Sequence, residues 1–413
     1  MHRRDATMDR VVGPLESAWA TADAPERRRL AAEALARPNP RIDPDPAAPG
    51  LAIWSWTVEA ADARAVLLWT NPVFDHERPA TAELARLADS GLWTIALRLP
   101  RALRMSYRIA CWRDAGPPPW HTAEGRRATV LAAIGAADAD PRGRETARGS
   151  VGEAFSIAAG PDAPDAPWEK RAAADADVPV PTVDELALPR GGRAWVHRPL
   201  GRERIGSDAR PTPLLVLFDG QVWLDGLGLP RIIDRLTASG ALPPLHIALL
   251  DSGSLERRWE RLGVPHGQVD EVLDELLPVL RRDYPVSRER GDTIVSGQSL
   301  GGIAALWTLA LGAGEVGHAI AQSPSLWRFP VLGPLLREPR WDSIALEAGV
   351  YEPGMRADAA ELAEALRTAA EVGAESPEDA ASRRAVSFSA PVAGHDWAAW
   401  RVGLVRALIA HFA

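Results

Sequence analysis

Cysteine is nearly absent. Cys111 stands alone in 413 residues, which excludes an internal disulfide and any zinc site built from thiolates, and suits a reducing cytoplasm. Long apolar runs are missing too. None approaches the roughly 20 residues that a helical membrane span requires. The opening stretch MHRRDATMDRVVG is basic, but no apolar segment follows it, so no secretory leader is expected. The nine histidines are scattered, with no H-E-x-x-H or comparable ligand pair. No protein-held metal is therefore expected. A net charge of -8 argues against nucleic acid as the main partner. Lysine is almost missing: of 47 basic residues, all but Lys170 are arginines. With abundant Ala, Pro and Gly, this reflects a GC-rich coding sequence, so an arginine matters only where it clusters at a site.

What remains is an ordinary globular composition, 46% hydrophobic and 25% charged, in a chain long enough for two domains. Residues 15–37 read as helical, with Pro38 and Pro40 ending the pattern. Between 51 and 113 the runs LAIWSWTVE, AVLLWTN, LWTIALRLP and MSYRIACW are short, β-rich and separated by Asn-Pro, Ser-Gly and Pro. That spacing predicts a small antiparallel sandwich of the immunoglobulin-like kind. Residues 114–190 are rich in Ala, Asp, Pro and Gly and predict a long, partly irregular connection. Beyond about 190, the runs RAWVHRPL, PLLVLFDG, LHIALLDSG, DTIVSG, HAIAQSPS, SIALEAG and AVSFSAPV have helical segments between several of them, such as 267–282, 302–312 and 357–371. The tail 397–412 is helical as well. Strands alternating with helices imply a mostly parallel sheet covered on both faces.

One stretch of that second part carries chemistry. In TIVSGQSLGG, Gly297 and Gly301 flank Ser299 as G-x-S-x-G, with a strand before and a helix after. This is the nucleophile elbow of an α/β-hydrolase, in which a strained serine stands above the sheet. Two domains joined by a linker follow: 1–150 as helix plus sandwich, 151–188 as linker, 189–413 as α/β-hydrolase domain. The order of an α/β-hydrolase triad is Ser, acid, His. His395, in a Pro/Gly loop before the last helix, fits the base; His318 opens a strand and His411 lies in the terminal helix. Glu352, in GVYEPG after the strand SIALEAG, is the favoured acid, with Asp358 and Asp396 as alternatives. The oxyanion donors are expected at the backbone N–H of Leu300 and in the loop at Gly220 and Gln221.

The runs LLVLFDGQVW, ELLPVLRRDYPV, VSGQSLGGIAALW, AQSPSLW, LEAGVYEP and AGHDWAAWRVGL together resemble the enterochelin (enterobactin) esterase family. The runs IWSWTVE, LLWTNPVFD and LADSGLWTIALRLPRALRMSY resemble its N-terminal sandwich domain, so the likeness covers nearly the whole chain. It implies cytoplasmic hydrolysis of the ester backbone of ferric tricatecholate siderophores, with release of iron. Iron then arrives with the substrate, and no cofactor is expected. The family's nucleophile, base and loop acid fall on Ser299, His395 and Glu352. Two departures stand out. In RRWERLGV, Arg257 and Glu260 match the family, but Arg261 replaces a leucine and Val264 stands near a missing asparagine. In QSPS, Pro324 replaces a glycine. Both departures are expected in loops that face substrate.

A ferric tris-catecholate is large, flat-faced and anionic, and calls for cations and aromatic faces. Arg257, Arg258 and Trp259 follow one strand; Trp223 follows the oxyanion loop; Trp327 and Arg328 follow QSPS; Trp400 and Arg401 lie one turn beyond His395. Arg257, Arg258, Trp223, Trp259, Trp327 and Trp400 are the candidate substrate contacts. A general carboxylesterase or acyltransferase on the same scaffold is the alternative enzyme, and a carrier with a vestigial elbow the alternative from another class.

Overall fold

A computed structural model of the chain describes residues 9–150, 152–168, 178–201, 211–312, 314–337, 339–372 and 384–413. It divides into two units. The first holds residues 1–149, 153–164 and 392–399, and the second holds 150–152, 165–391 and 400–413.

The first unit is built on alternating strands. Its strands are β1 (Asp9–Val11), β2 (Arg41–Pro44), β3 (Leu51–Glu59), β4 (Ala65–Thr70), β5 (Ala85–Arg86), β6 (Leu92–Pro100), β7 (Arg104–Trp112), β8 (Glu145–Arg148) and β9 (Ala154–Ala159). They form two antiparallel sheets, β1-β6-β3-β2 with β5 beside β6, and β4-β7-β9-β8. Aromatic side chains join the two sheets. Trp54 and Trp56 of β3 stack at 6.3 Å, and Trp56 meets Tyr107 of β7 edge-on at 5.7 Å. The Tyr107 hydroxyl donates to Asp140 Oδ2 at 3.1 Å, so the polar tip of a buried ring is satisfied. The expected single helix over 15–37 is two helices, Pro14–Thr21 and Ala24–Ala36. Asp23 breaks it by capping the second: its carboxylate accepts from Glu26 N at 2.9 Å.

The second unit is an eight-stranded sheet with helices between strands. Its strands are β10 (Thr182–Ala187), β11 (Arg193–Arg198), β12 (Leu214–Leu217), β13 (His246–Leu250), β14 (Thr293–Gln298), β15 (His318–Gln322), β16 (Ser343–Glu347) and β17 (Ala385–Ser389). The order is β10-β11-β13-β12-β14-β15-β16-β17. β10 and β11 are antiparallel additions, and every pair from β13 to β17 is parallel. This is the α/β-hydrolase arrangement, preceded by a β-sandwich. Burial explains the texture of the central strands: every residue of β12, β13 and β14 is buried, so they read as continuous apolar runs. The stretch 114–190, expected to be a long, partly irregular connection, carries β8 and β9 of the sandwich and β10 of the large sheet. β8 and β10 were hidden because ETAR and TVDELA are polar, half-exposed sheet-edge sequences, whereas β9, AFSIAA, is apolar and mostly buried and was overlooked among the Ala-rich surroundings. The helix expected over 267–282 is interrupted by a π-helical turn at Val272–Leu276.

His318 and His411 meet edge-on at 4.3 Å. Nε2 of His318 donates to Gly291 O at 2.9 Å, and its Nδ1 lies 2.7 Å from the Ser343 hydroxyl. Burial holds the pKa of this ring below its usual value. Burial, with His318 beside it, pushes His411 down to about 4, against the pull of Asp292. The unfolded chain therefore binds a proton that the folded chain refuses between about pH 6.5 and about pH 4, and stability falls as pH drops through that window. Urea midpoints measured at about pH 7 and about pH 5 should separate. His411→Leu should narrow the gap, and an unchanged gap would assign the acid sensitivity elsewhere.

Candidate active site

β14 ends at Gln298 and the helix Leu300–Leu311 begins at the next residue but one. Ser299 alone makes the turn, at φ 57 and ψ -116. That conformation costs a non-glycine residue about 1–3 kcal/mol and persists only where the surroundings hold it. Here Ser299 N donates to Gln322 O at 2.9 Å, and Ser299 O accepts from Ser325 N at 3.0 Å and Gly302 N at 3.1 Å. Side chains on the flanking glycines are excluded on one side: a Cβ on Gly297 would collide with the backbone of Gly301. Ser299 Oγ lies 3.4 Å from Ser325 Oγ. The amide of Leu300 is the first of its helix, an end that carries positive dipole and unpaired N–H groups.

The segment expected to supply the second oxyanion donor follows β12. Asp219 turns the chain at φ 57, and Gly220 packs so closely on β13 that a Cβ would strike the Leu249 backbone. Gln221 Oε1 accepts from Ser252 N at 3.2 Å, which ties this loop to the end of β13. Arg258 braces the same loop. Its Nε and Nη2 each approach the buried Asp219 carboxylate at 2.7 Å. The guanidinium expected to hold substrate is thus spent on Asp219.

Glu352 follows β16 in a tight turn and is 8% exposed. Its Oε2 accepts from Ser323 Oγ at 2.7 Å and from Gly349 N at 2.9 Å. The two alternative acids have other positions. Asp358 is exposed on the helix Pro353–Val372. Asp396 caps the helix Trp397–Phe412 through Ala398 N at 2.9 Å and accepts from Ser106 N at 2.6 Å; burial raises its pKa to about 6. His395 lies in the segment 392–399 of the first unit, where its carbonyl accepts from Asn71 Nδ2 at 2.9 Å.

The tryptophans divide into two kinds. Trp223 is fully buried and donates to Gln298 Oε1 at 3.0 Å; Trp400 is buried and donates to Ser323 Oγ at 3.0 Å. Both were expected to face substrate, and both instead hold polar residues beside the elbow. Trp259 and Trp327 are 52% and 59% exposed, with rings 6.1 Å apart. The Arg328 guanidinium stands 4.3 Å over the Trp259 ring and donates to Trp259 O at 2.7 Å. Arg257 is exposed on the same short helix, Leu255–Arg261. Arg401 is buried over Trp168 at 5.2 Å. The two sequence departures are packed rather than open. Arg261 pairs with the buried Glu271 at 2.8 Å, and Pro324 is buried with its Cα 3.1 Å from where a Cβ on Gly302 would lie.

Sequence reasoning missed Ser323, Gln298 and Gln322 as a group. The signal was present: β14 and β15 both end in Gln followed by Ser, and the register sets Gln298 opposite Gln322. Among the described residues, no group of three or more His, Cys, Asp or Glu could hold a metal ion, and no helix is long and apolar enough to cross a membrane.

Residues 196–411 match the family described as putative esterase, and residues 53–169 match the enterochelin esterase N-terminal family. An iron(III) enterobactin esterase of Escherichia coli strain K12 is 27% identical over 372 residues, covering 85% of this chain and 87% of that relative. An iron(III) salmochelin esterase of Escherichia coli O6:H1 is 28% identical over 273 residues, covering 64% of this chain and 63% of the relative. The crystal structure of a ferric enterobactin esterase from Salmonella typhimurium has a TM-score of 0.73 at 24% identity, covering 92% of this chain and 98% of its own. That of an enterobactin esterase from Shigella flexneri, in the presence of enterobactin, has a TM-score of 0.72 at 22% identity, covering 91% and 96%.

The pairing of Arg258 separates a brace from a ligand contact. Arg258→Ala leaves the Asp219 charge buried without its guanidinium and should cost about 3–5 kcal/mol of unfolding free energy. Arg257→Ala, at an exposed position, should stay within about 0.5 kcal/mol. Equal stability of the two variants in urea unfolding would refute the brace.

Proposed function

This chain belongs to the enterochelin esterase family, and we propose that it is a serine esterase that opens the ester backbone of ferric catecholate siderophores. The coarser statement, a carboxylic ester hydrolase, follows from the family. The observation that carries the finer one is Ser299, a non-glycine residue held at φ 57 with the first amide of a helix beside it.

In the proposed reaction, Ser299 Oγ attacks a seryl ester carbonyl while His395 takes its proton. The tetrahedral oxyanion is held by the N–H groups of Leu300 and of Gln221 in the loop after β12. Collapse breaks the ester C–O bond. The departing seryl hydroxyl takes the proton back from His395, and an acyl-enzyme remains on Ser299. Water then gives its proton to His395 and attacks the acyl carbon, and the second collapse restores the Ser299 hydroxyl. Glu352 fixes the imidazole tautomer and stabilises its cation. The two donors on Oε2 support this role by holding the carboxylate in place. Iron enters as cargo of the substrate, and no step requires a cofactor. A single cysteine is consistent with work in the cytoplasm.

The tilted pair of Trp259 and Trp327, with Arg328 over one ring and Arg257 on the same short helix, supports recognition of flat anionic rings. That chemistry and the relatives' printed activities support this substrate class.

The test is product analysis. Iron-loaded and iron-free enterobactin are incubated with the protein, and trimer, dimer and monomer are separated by chromatography. Ser299→Ala should lower turnover by at least roughly a thousandfold. Full turnover in that variant would remove the nucleophile, and cleavage of small p-nitrophenyl esters in strong preference to both enterobactin forms would favour a general carboxylesterase. Trp259→Ala with Trp327→Ala should raise KM for the ferric substrate by about 3- to 30-fold, the worth of one or two exposed aromatic contacts. The same pair should leave KM for p-nitrophenyl butyrate within about twofold, because that ester lacks the catecholate rings.

A further inference from the structure

The geometry points to Ser323 and Trp400 as positioning residues that orient the Glu352 carboxylate, through a buried hydrogen-bond network that also reaches the base of the nucleophile turn. The inference rests on Glu352 being the acid of the triad.

Ser323 follows β15 directly and is fully buried at φ 43, a strained conformation for a residue that is not glycine. Its amide donates to Glu347 O at 2.6 Å, which fixes the backbone. Its hydroxyl lies between two groups, Trp400 Nε1 at 3.0 Å and Glu352 Oε2 at 2.7 Å. An indole N–H can only donate, so it occupies a lone pair of the hydroxyl. The single hydroxyl proton then goes to the carboxylate. The polarity of this relay is therefore set by chemistry: Trp400 to Ser323 to Glu352. With Gly349 N on the same Oε2, two donors hold the plane of the carboxylate.

The same logic runs through the neighbouring glutamines. Trp223 Nε1 donates to Gln298 Oε1 at 3.0 Å, which leaves the Gln298 amide nitrogen to donate to Gln322 Oε1 at 3.1 Å. Gln322 Nε2 in turn donates to Trp400 O at 2.9 Å and to Glu347 Oε1 at 2.7 Å. Each tryptophan thus sets one direction of one network. Gln298 precedes the nucleophile, and Trp400 contacts both branches, with its carbonyl on Gln322 and its indole on Ser323. The helix Trp397–Phe412 is seated tightly on this network, because a Cβ on Gly403 would collide with Glu347 and Gln322. A network in which each of these directions is assigned resists rotation of any member. Fixing the acid is the catalytic use of that resistance.

Steady-state kinetics of the full chain with p-nitrophenyl butyrate test the assignment. Ser323→Ala should lower kcat by about tenfold to a hundredfold, the effect of a misplaced catalytic group, with KM within about threefold. Trp400→Phe keeps the ring and loses the N–H, and should lower kcat in the same direction by less. In a Glu352→Gln background, Ser323→Ala should cost nothing further, since its effect is exerted through the acid. Loss in Glu352→Gln with full kcat in Ser323→Ala and Trp400→Phe would overturn this inference and leave the acid in place. Multiplying losses in the double variant would also overturn it. Full kcat in Glu352→Gln would remove the acid itself and the inference with it. If Ser323→Ala fails to fold, as judged by circular dichroism, the Trp400→Phe and Glu352→Gln pair gives the same cycle.

Discussion

The parallel pairing of β14 with β15, in the register that sets Gln298 opposite Gln322, governs the arrangement at the carboxyl edge of the large sheet. One residue beyond that pair, each chain turns at positive φ without glycine, at Ser299 and at Ser323. Gln322 supplies the carbonyl that holds the Ser299 amide, and its side chain links β14 to β16 and to the last helix. A slip of one residue would put the two glutamines on opposite faces of the sheet and separate the two serines from their partners. The sheet thus specifies more than a platform. Its register sets one serine in the strand-to-helix turn and its counterpart against a carboxylate.

The strain at the elbow is small against what surrounds it. About 1–3 kcal/mol is stored in the Ser299 backbone. Four backbone hydrogen bonds to Ser299 and glycines packed beside it offset that cost. The buried Asp219–Arg258 pair works the same way on the loop after β12, holding a second positive-φ residue. Backbone is thus held rigid at both segments where oxyanion donors were expected, and dipoles already in place need no rearrangement during a reaction.

The strands β11 to β17 and the elbow were legible in the sequence because parallel-sheet burial writes itself as apolar runs and a strand-to-helix turn as glycines around serine. The edge strands β8 and β10 were not legible, since a half-exposed strand needs few apolar residues. Side-chain roles were harder. A tryptophan reads the same whether it is an exposed face, as at 259 and 327, or a buried donor, as at 223 and 400. Arginine in this composition is equally mute. Arg258 and Arg261 lie three residues apart on one helix, and each is neutralised by a carboxylate that the local sequence does not announce, Asp219 and Glu271. The surroundings of the three candidate acids were no more legible. Glu352 accepts from Ser323 and Gly349, Asp396 caps the last helix, Asp358 lies on a helix surface, and none of these uses leaves a mark on spacing.

The helix Leu255–Arg261 buries no residue of its own. Ser254 caps it, and the inward reach of Arg258 and Arg261 anchors it, while Leu255, Arg257 and Trp259 face outward. Replacements on that outer face disturb neither the core nor the elbow. The outer face of this helix and the strand-to-helix turn at Ser299 are therefore held by separate sets of contacts, and the side chains of one can change without mechanical consequence for the other.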